Sequence, residues 1–172
     1  MHGEVSQVIA ADCSEVFDLL HDYDRRLAWD SLLSEAFLAD GNTRAALGAT
    51  SVCVGRRSLG RIALKTVYVA FDRPRLAAVK MINRPPLFAT WAASIRHQAL
   101  GDRESRVTYA WTFTARPRWL AWLFEPLLNR VFAWETRKRL RCLAAQFPAR
   151  APAHAPASRG ECDAPPLGSN ST

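Results

Sequence analysis

Apolar and polar residues alternate most regularly from Val107 to Thr114, where Val107, Tyr109, Trp111 and Phe113 are separated by Thr108, Ala110, Thr112 and Thr114. A period of two places the first set on one face of a β-strand. Its hairpin partner is predicted from Phe88 to Leu100, with Trp91, Ala93 and Ile95 on one side and Ala92, Ser94, Arg96 and Gln98 on the other. A third strand, Ile62 to Phe71, groups Val67, Val69 and Phe71 on one face, with Lys65 on that face near the far end. Turn-forming residues fall at Asp40-Gly41-Asn42, Leu59-Gly60, Asp72-Arg73-Pro74, Arg84-Pro85-Pro86 and Gly101-Asp102. These breaks predict a meander of about six antiparallel strands between Ser31 and Arg116, because parallel pairing would need longer crossovers.

Ahead of the meander, Glu4 to Ile9 reads as a strand. A helix follows, capped by Asp12 or Ser14, with Val16, Phe17, Leu19 and Leu20 as its apolar stripe, and then a second short helix over Asp24 to Trp29. Beyond Pro117 the period becomes helical: Leu120, Leu123, Phe124, Leu127, Val131, Trp134, Leu140, Leu143 and Phe147 recur every three or four residues. Pro126 should kink this long helix or begin its main portion. Arg137, Lys138, Arg139 and Arg141 crowd its C-terminal end, where cations suit the helix dipole.

The order β-α-α-β6-α predicts an α+β helix-grip fold, a curved antiparallel sheet of about seven strands wrapped around the long C-terminal helix. With Ala10, Ala11, Val16, Phe17, Leu20, Asp22, Tyr23 and the Trp29-Asp30 pair, the segment Ile9 to Asp30 resembles the opening of the START-like (SRPBCC) superfamily. That group includes polyketide cyclase and lipid-transport proteins and coenzyme-Q-binding proteins. The Trp91 strand, the Val107 to Phe113 strand and the closing helix resemble the superfamily's last elements. The resemblance implies a cavity between sheet and C-terminal helix that binds a small hydrophobic ligand such as a lipid, quinone or polyketide. It also leaves a second function open, a cyclase or aromatase working in the same cavity.

Combined with strand and helix parity, the resemblance marks Trp29, Lys65, Val67, Val69, Phe71, Trp91, Ile95, His97, Tyr109, Trp111, Phe113, Phe124, Leu127 and Val131 as candidate ligand-binding residues. Each aromatic ring is equally suited to filling the core. A ligand-sized hole of about 300 Å³ would cost roughly 7 kcal/mol if left empty, so a guest, water or those rings must occupy it. His97 shares parity with Trp91 and Ile95 and would meet a ligand carbonyl, unless it lies at a frayed strand end in water. His21, ending the first helix, reads as a surface residue. For a cyclase, Lys65, His97 and Tyr109 are the candidate acid, base or hydrogen-bonding groups. No metal-ligand spacing, phosphate-binding glycine loop or nucleophile motif occurs, and no cofactor is implied.

Composition adds boundaries. The 172 residues, 49% hydrophobic and 23% charged, suit one globular domain. It is placed at residues 1–147 and followed by a disordered Pro/Ala/Ser-rich tail at 148–172. The net charge of +7 belongs to the domain, because Arg150, Arg159, Glu161 and Asp163 cancel within the tail. The opening stretch lacks a signal-peptide pattern, and Cys13, Cys53, Cys142 and Cys162 are scattered, which points to free thiols in the cytoplasm. Trp119 and Trp122, flanked by Arg116, Arg118 and Arg130, suit contact with an anionic membrane, or else pack on the sheet rim or in a dimer. Nucleic-acid binding is not expected, since the aromatic residues alternate into the sheet instead of interleaving with the basic clusters.

Overall fold

Strands supply more of the described structure than helices do. The computed structural model describes residues 1–117, 119 and 121–148. Its elements are β1 (His2–Ile9), α1 (Cys13–His21), α2 (Arg26–Trp29), β2 (Leu33–Ala39), β3 (Thr50–Gly55), β4 (Ala63–Asp72), β5 (Leu76–Met81), β6 (Phe88–Gly101), β7 (Glu104–Ala115) and α3 (Ala121–Ala144). A 3₁₀ turn, Arg57–Leu59, lies between β3 and β4. The expected tail lies outside the described residues except for Pro148.

The sheet is antiparallel throughout, in the order β1-β7-β6-β5-β4-β3-β2, and it curls into a half-barrel around the C-terminal helix. Consecutive strands of the meander are neighbours, and β1 returns to pair with β7. Such an arrangement leaves two edges and a concave face, which α1 and α3 cover. The expected helix-grip architecture is therefore the architecture found.

The concave face carries the core. On β7, Val107, Tyr109, Trp111 and Phe113 all point inward and are buried, as are Trp91, Ala93 and Ile95 on β6. Gly3 of β1 lies opposite Trp111 because the indole occupies the space a side chain would take. The Trp111 N–H donates to Asn129 Oδ1 of α3 at 2.8 Å, and its ring packs on Phe132, so β1, β7 and α3 lock together at one point.

Two expectations about parity need correction. On β4 the inward residues are Leu64, Thr66 and Tyr68, whereas Lys65, Val67 and Val69 face outward, and Lys65 Nζ lies 3.3 Å from Asp40. Both faces of this strand carry apolar side chains, so the period alone does not choose between them. A bulge between Tyr68 and Ala70 then returns Phe71 to the inner side, where its ring meets Phe17, His21 and Tyr68.

Helix α3 runs through Pro126 and buries Thr136, Arg139, Leu140 and Leu143, with Leu128 and Phe132 also packed inward. Leu123, Phe124, Leu127 and Trp134, expected on the inner stripe, face solvent instead. The first half of the helix is apolar around much of its circumference, which leaves its orientation to tertiary partners. Leu120 lies outside the described residues.

Candidate ligand cavity

The side chains on the concave face do not fill it. Between β2 to β7 and the three helices lies a partly open cavity of about 180 Å³. That exceeds the roughly 150 Å³ that accepts a benzene ring in an engineered apolar core. Left dry and empty, a void of this size would cost about 4 kcal/mol. Its apolar wall comes from Leu64, Val79, Leu87, Trp91, Leu128 and Phe132. Ile95, Tyr109 and Val131 complete that side, so four of the expected residues, Trp91, Ile95, Tyr109 and Val131, border the space.

The other expected residues lie elsewhere. Trp111 and Phe113 are buried against Phe132 and Phe88, respectively, beside the cavity. Trp29 is buried with its ring 4.9 Å from the Arg26 guanidinium. Phe124 and Leu127 are exposed on the outside of α3. His97 is neither in the cavity nor in water: it is buried under α1, its ring 5.3 Å from Phe17. His21 is buried too, one ring nitrogen 2.8 Å from the Phe17 carbonyl. The curl of the sheet brings α1 down over the end of β6, so this pair of histidines forms part of a second small core with Phe17, Tyr68 and Phe71. Burial holds His97 neutral, with its pKa lowered to about 4, and lowers that of His21 to about 3.

One end of the cavity is polar, built from residues outside the candidate set that strand and helix parity marks. Tyr23 and Tyr68 join through their hydroxyls at 3.1 Å, and Ser51 Oγ lies 2.9 Å from Thr66 Oγ1. Burial raises both phenol pKa values, so these groups are neutral at physiological pH. Beside them Arg26 Nε donates to Asp30 Oδ2 at 2.9 Å, and Arg139 Nη2 donates to the same oxygen at 2.5 Å. Arg26 also donates to the Leu20 carbonyl. Burial disfavours the Asp30 anion, but Arg139 and Arg26 outweigh that and hold its pKa below the usual carboxylate value. Burial likewise works against the Arg26 cation, and the neighbouring Asp30 keeps it charged. The Arg26–Asp30 pair has the i,i+4 spacing of a helical ion pair, a signal present in the sequence. Arg139 offered none, since its partner is 109 residues away.

Fold and cavity together define a helix-grip protein with an internal pocket. The chain belongs to the polyketide cyclase/dehydrase and lipid transport family, whose sequence pattern matches residues 1–148. No protein of curated function matches the sequence. Among solved structures it is similar to the Zhui aromatase/cyclase from Streptomyces sp. R1128, with a TM-score of 0.69 at 12% identity over 86% of this chain and 93% of that one. A protein from Thermus thermophilus aligns with a TM-score of 0.72 at 12% identity, covering 86% and 97% of the two chains. A START superfamily protein from Mycobacterium smegmatis gives a TM-score of 0.58 at 11% identity, covering 81% and 98%. At these identities the likeness is one of fold.

Proposed function

We propose that this protein binds a small hydrophobic molecule in the cavity between the sheet and α3, to carry or sequester it. The observation that supports this reading is the unfilled, partly open space of about 180 Å³ among inward-facing aliphatic and aromatic side chains. Chemistry on the guest has weaker support: of Lys65, His97 and Tyr109, only Tyr109 borders the cavity. The free thiols of Cys13, Cys53 and Cys142 fit a reducing, cytoplasmic setting. Native mass spectrometry with organic extraction of the purified protein is the test. An apolar compound should co-purify with the wild type and be absent from A93W, whose indole would occupy the space beside Trp91 and Ile95. Equal recovery from both would count against the cavity as the binding place.

The outer side of α3 supports a route for loading. Trp119, Trp122 and Leu127 are 74%, 75% and 60% exposed, and Val131 belongs both to this face and to the cavity lining. Arg130 lies within the face, and Lys138 Nζ sits 5.6 Å above the Trp134 ring. Exposed indoles with nearby cations and a net charge of +7 suit the headgroup layer of an anionic bilayer, from which a guest could pass the helix into the cavity. Among the described residues, no helix is long and apolar enough to cross that bilayer.

A further inference from the structure

We infer that the guest is an amphiphile with one negatively charged oxygen head, such as a carboxylate, held at the polar end of the cavity by Arg26 and Arg139. This inference rests on the reading that the cavity holds an apolar molecule, and it specifies that molecule's class. Two guanidinium groups share a single carboxylate there, and all three side chains are at most 7% exposed. Asp30 supplies one negative charge against their two: Oδ2 accepts from both arginines and Oδ1 from the Leu32 amide. The cluster therefore carries one unbalanced positive charge away from bulk water, a condition that costs several kcal/mol without a counter-ion.

The hydrogen-bond inventory points the same way. Arg139 Nε and Nη1 and Arg26 Nη2 have no protein partner among the described residues, yet none of these atoms is sealed from the space around it. Both arginines border the cavity, so unused donors and unbalanced charge share one location. A guanidinium fork matches a carboxylate with two parallel bonds, a geometry that a neutral alcohol or ketone cannot reproduce. Glu135, one turn earlier on α3, also borders the cavity. It is only half-buried and makes no ion pair among the described residues, so solvent screens its charge more than that of Asp30. The apolar wall opposite, including Leu64, Val79 and Phe132, would take the hydrocarbon body.

Calorimetric titration of the full-length protein with decanoate and with decanol at pH 7 tests the charge directly. Decanoate should bind at least tenfold more tightly than decanol. R139M leaves Asp30 paired with Arg26 alone, so it should remove this preference without weakening decanol binding, and R139K should restore part of it. E135Q, which removes the competing anion and touches none of the buried pairs, should tighten decanoate alone and keeps the test open if R139M does not fold. Decanol binding with no preference for decanoate would overturn the charge inference while sparing the cavity. Failure of both probes to bind would overturn the cavity reading and this inference with it.

Discussion

Arg139 and Asp30, 109 positions apart in sequence, meet at 2.5 Å beneath the cavity and tie helix α3 to the end of α2. Asp30 is fully buried and is bonded to both Arg26 and Arg139. D30N keeps the shape of the side chain but leaves the two guanidinium groups facing each other out of water. Breaking a buried ionic cluster in this way costs about 3 to 5 kcal/mol. Urea unfolding followed by circular dichroism should show that loss. E35Q, which breaks the exposed Arg61–Glu35 contact, should change stability by less than about 1 kcal/mol.

The two buried histidines predict how stability depends on pH. Their pKa values in the folded protein lie near 3 for His21 and 4 for His97, below the ordinary 6.5 they take when unfolded. Between those limits the unfolded chain binds two more protons than the native one, so stability is complete above pH 6.5 and falls as the pH drops. Each proton contributes about 1.4 kcal/mol per pH unit, so the two together give a slope between roughly pH 6 and pH 4 that is steepest near pH 5, where it approaches about 3 kcal/mol per unit. Neither ring nitrogen of His97 has a partner among the described residues, and Phe17 lies beside it. H97F should therefore halve the slope and raise stability at pH 7 by about 1 kcal/mol. An unchanged slope in urea titrations across this range would show that His97 ionises as freely folded as unfolded.

How much of this was legible follows from the pattern at each element. Strands β6 and β7 were readable because their inner faces are aromatic and their outer faces are threonine, serine and arginine, so alternation and orientation coincide. On β4 alternation was visible but orientation was not, because valine alternates with tyrosine and a bulge reverses the phase midway. Helix α3 defeated the same logic twice: its period selected Leu123, Phe124 and Leu127, which are exposed, and passed over Thr136 and Arg139, which are buried. A charged residue inside a helix reads as surface unless its counter-ion is known, and pairing across the whole chain leaves no local trace. The place of Arg139 at the polar end of the cavity was hidden for that reason, whereas the fold, which depends on many repeated positions, was not.

Gly3 and Trp111 give a packing prediction. A Cβ added at Gly3 would lie 2.6 Å from Cζ2 of the buried indole and 3.0 Å from Asn129 Oδ1. The ring cannot retreat without disturbing Phe132 and its own bond to Asn129. G3A should cost about 1 to 3 kcal/mol, the usual range for overpacking a close-packed interior. Thermal unfolding measures it, and G41A offers a control for the clash, since a Cβ at Gly41 would meet nothing within 4 Å beyond its chain neighbours, although its positive φ adds a backbone cost of its own.

The exposed face of α3 is the place to test contact with membranes. Burying Trp122 and Leu127 at a bilayer surface would remove large apolar areas from water, each contributing about 1.5 to 3 kcal/mol if buried fully. Arg130 would add an attraction that depends on anionic lipid and weakens with salt. W122D/L127D reverses both contributions at positions that make no core contact, so the fold should survive. Wild-type protein should co-sediment with phosphatidylglycerol-containing vesicles more than with neutral ones, less at high salt, and the double variant should lose at least tenfold in partitioning. If the face instead joins two copies of the chain, sedimentation velocity will find a wild-type dimer that the same variant splits, and vesicles of either composition will leave the protein in the supernatant. The two outcomes separate because a protein contact between identical faces hides the indoles from lipid, whereas a membrane contact needs them free until the bilayer is reached.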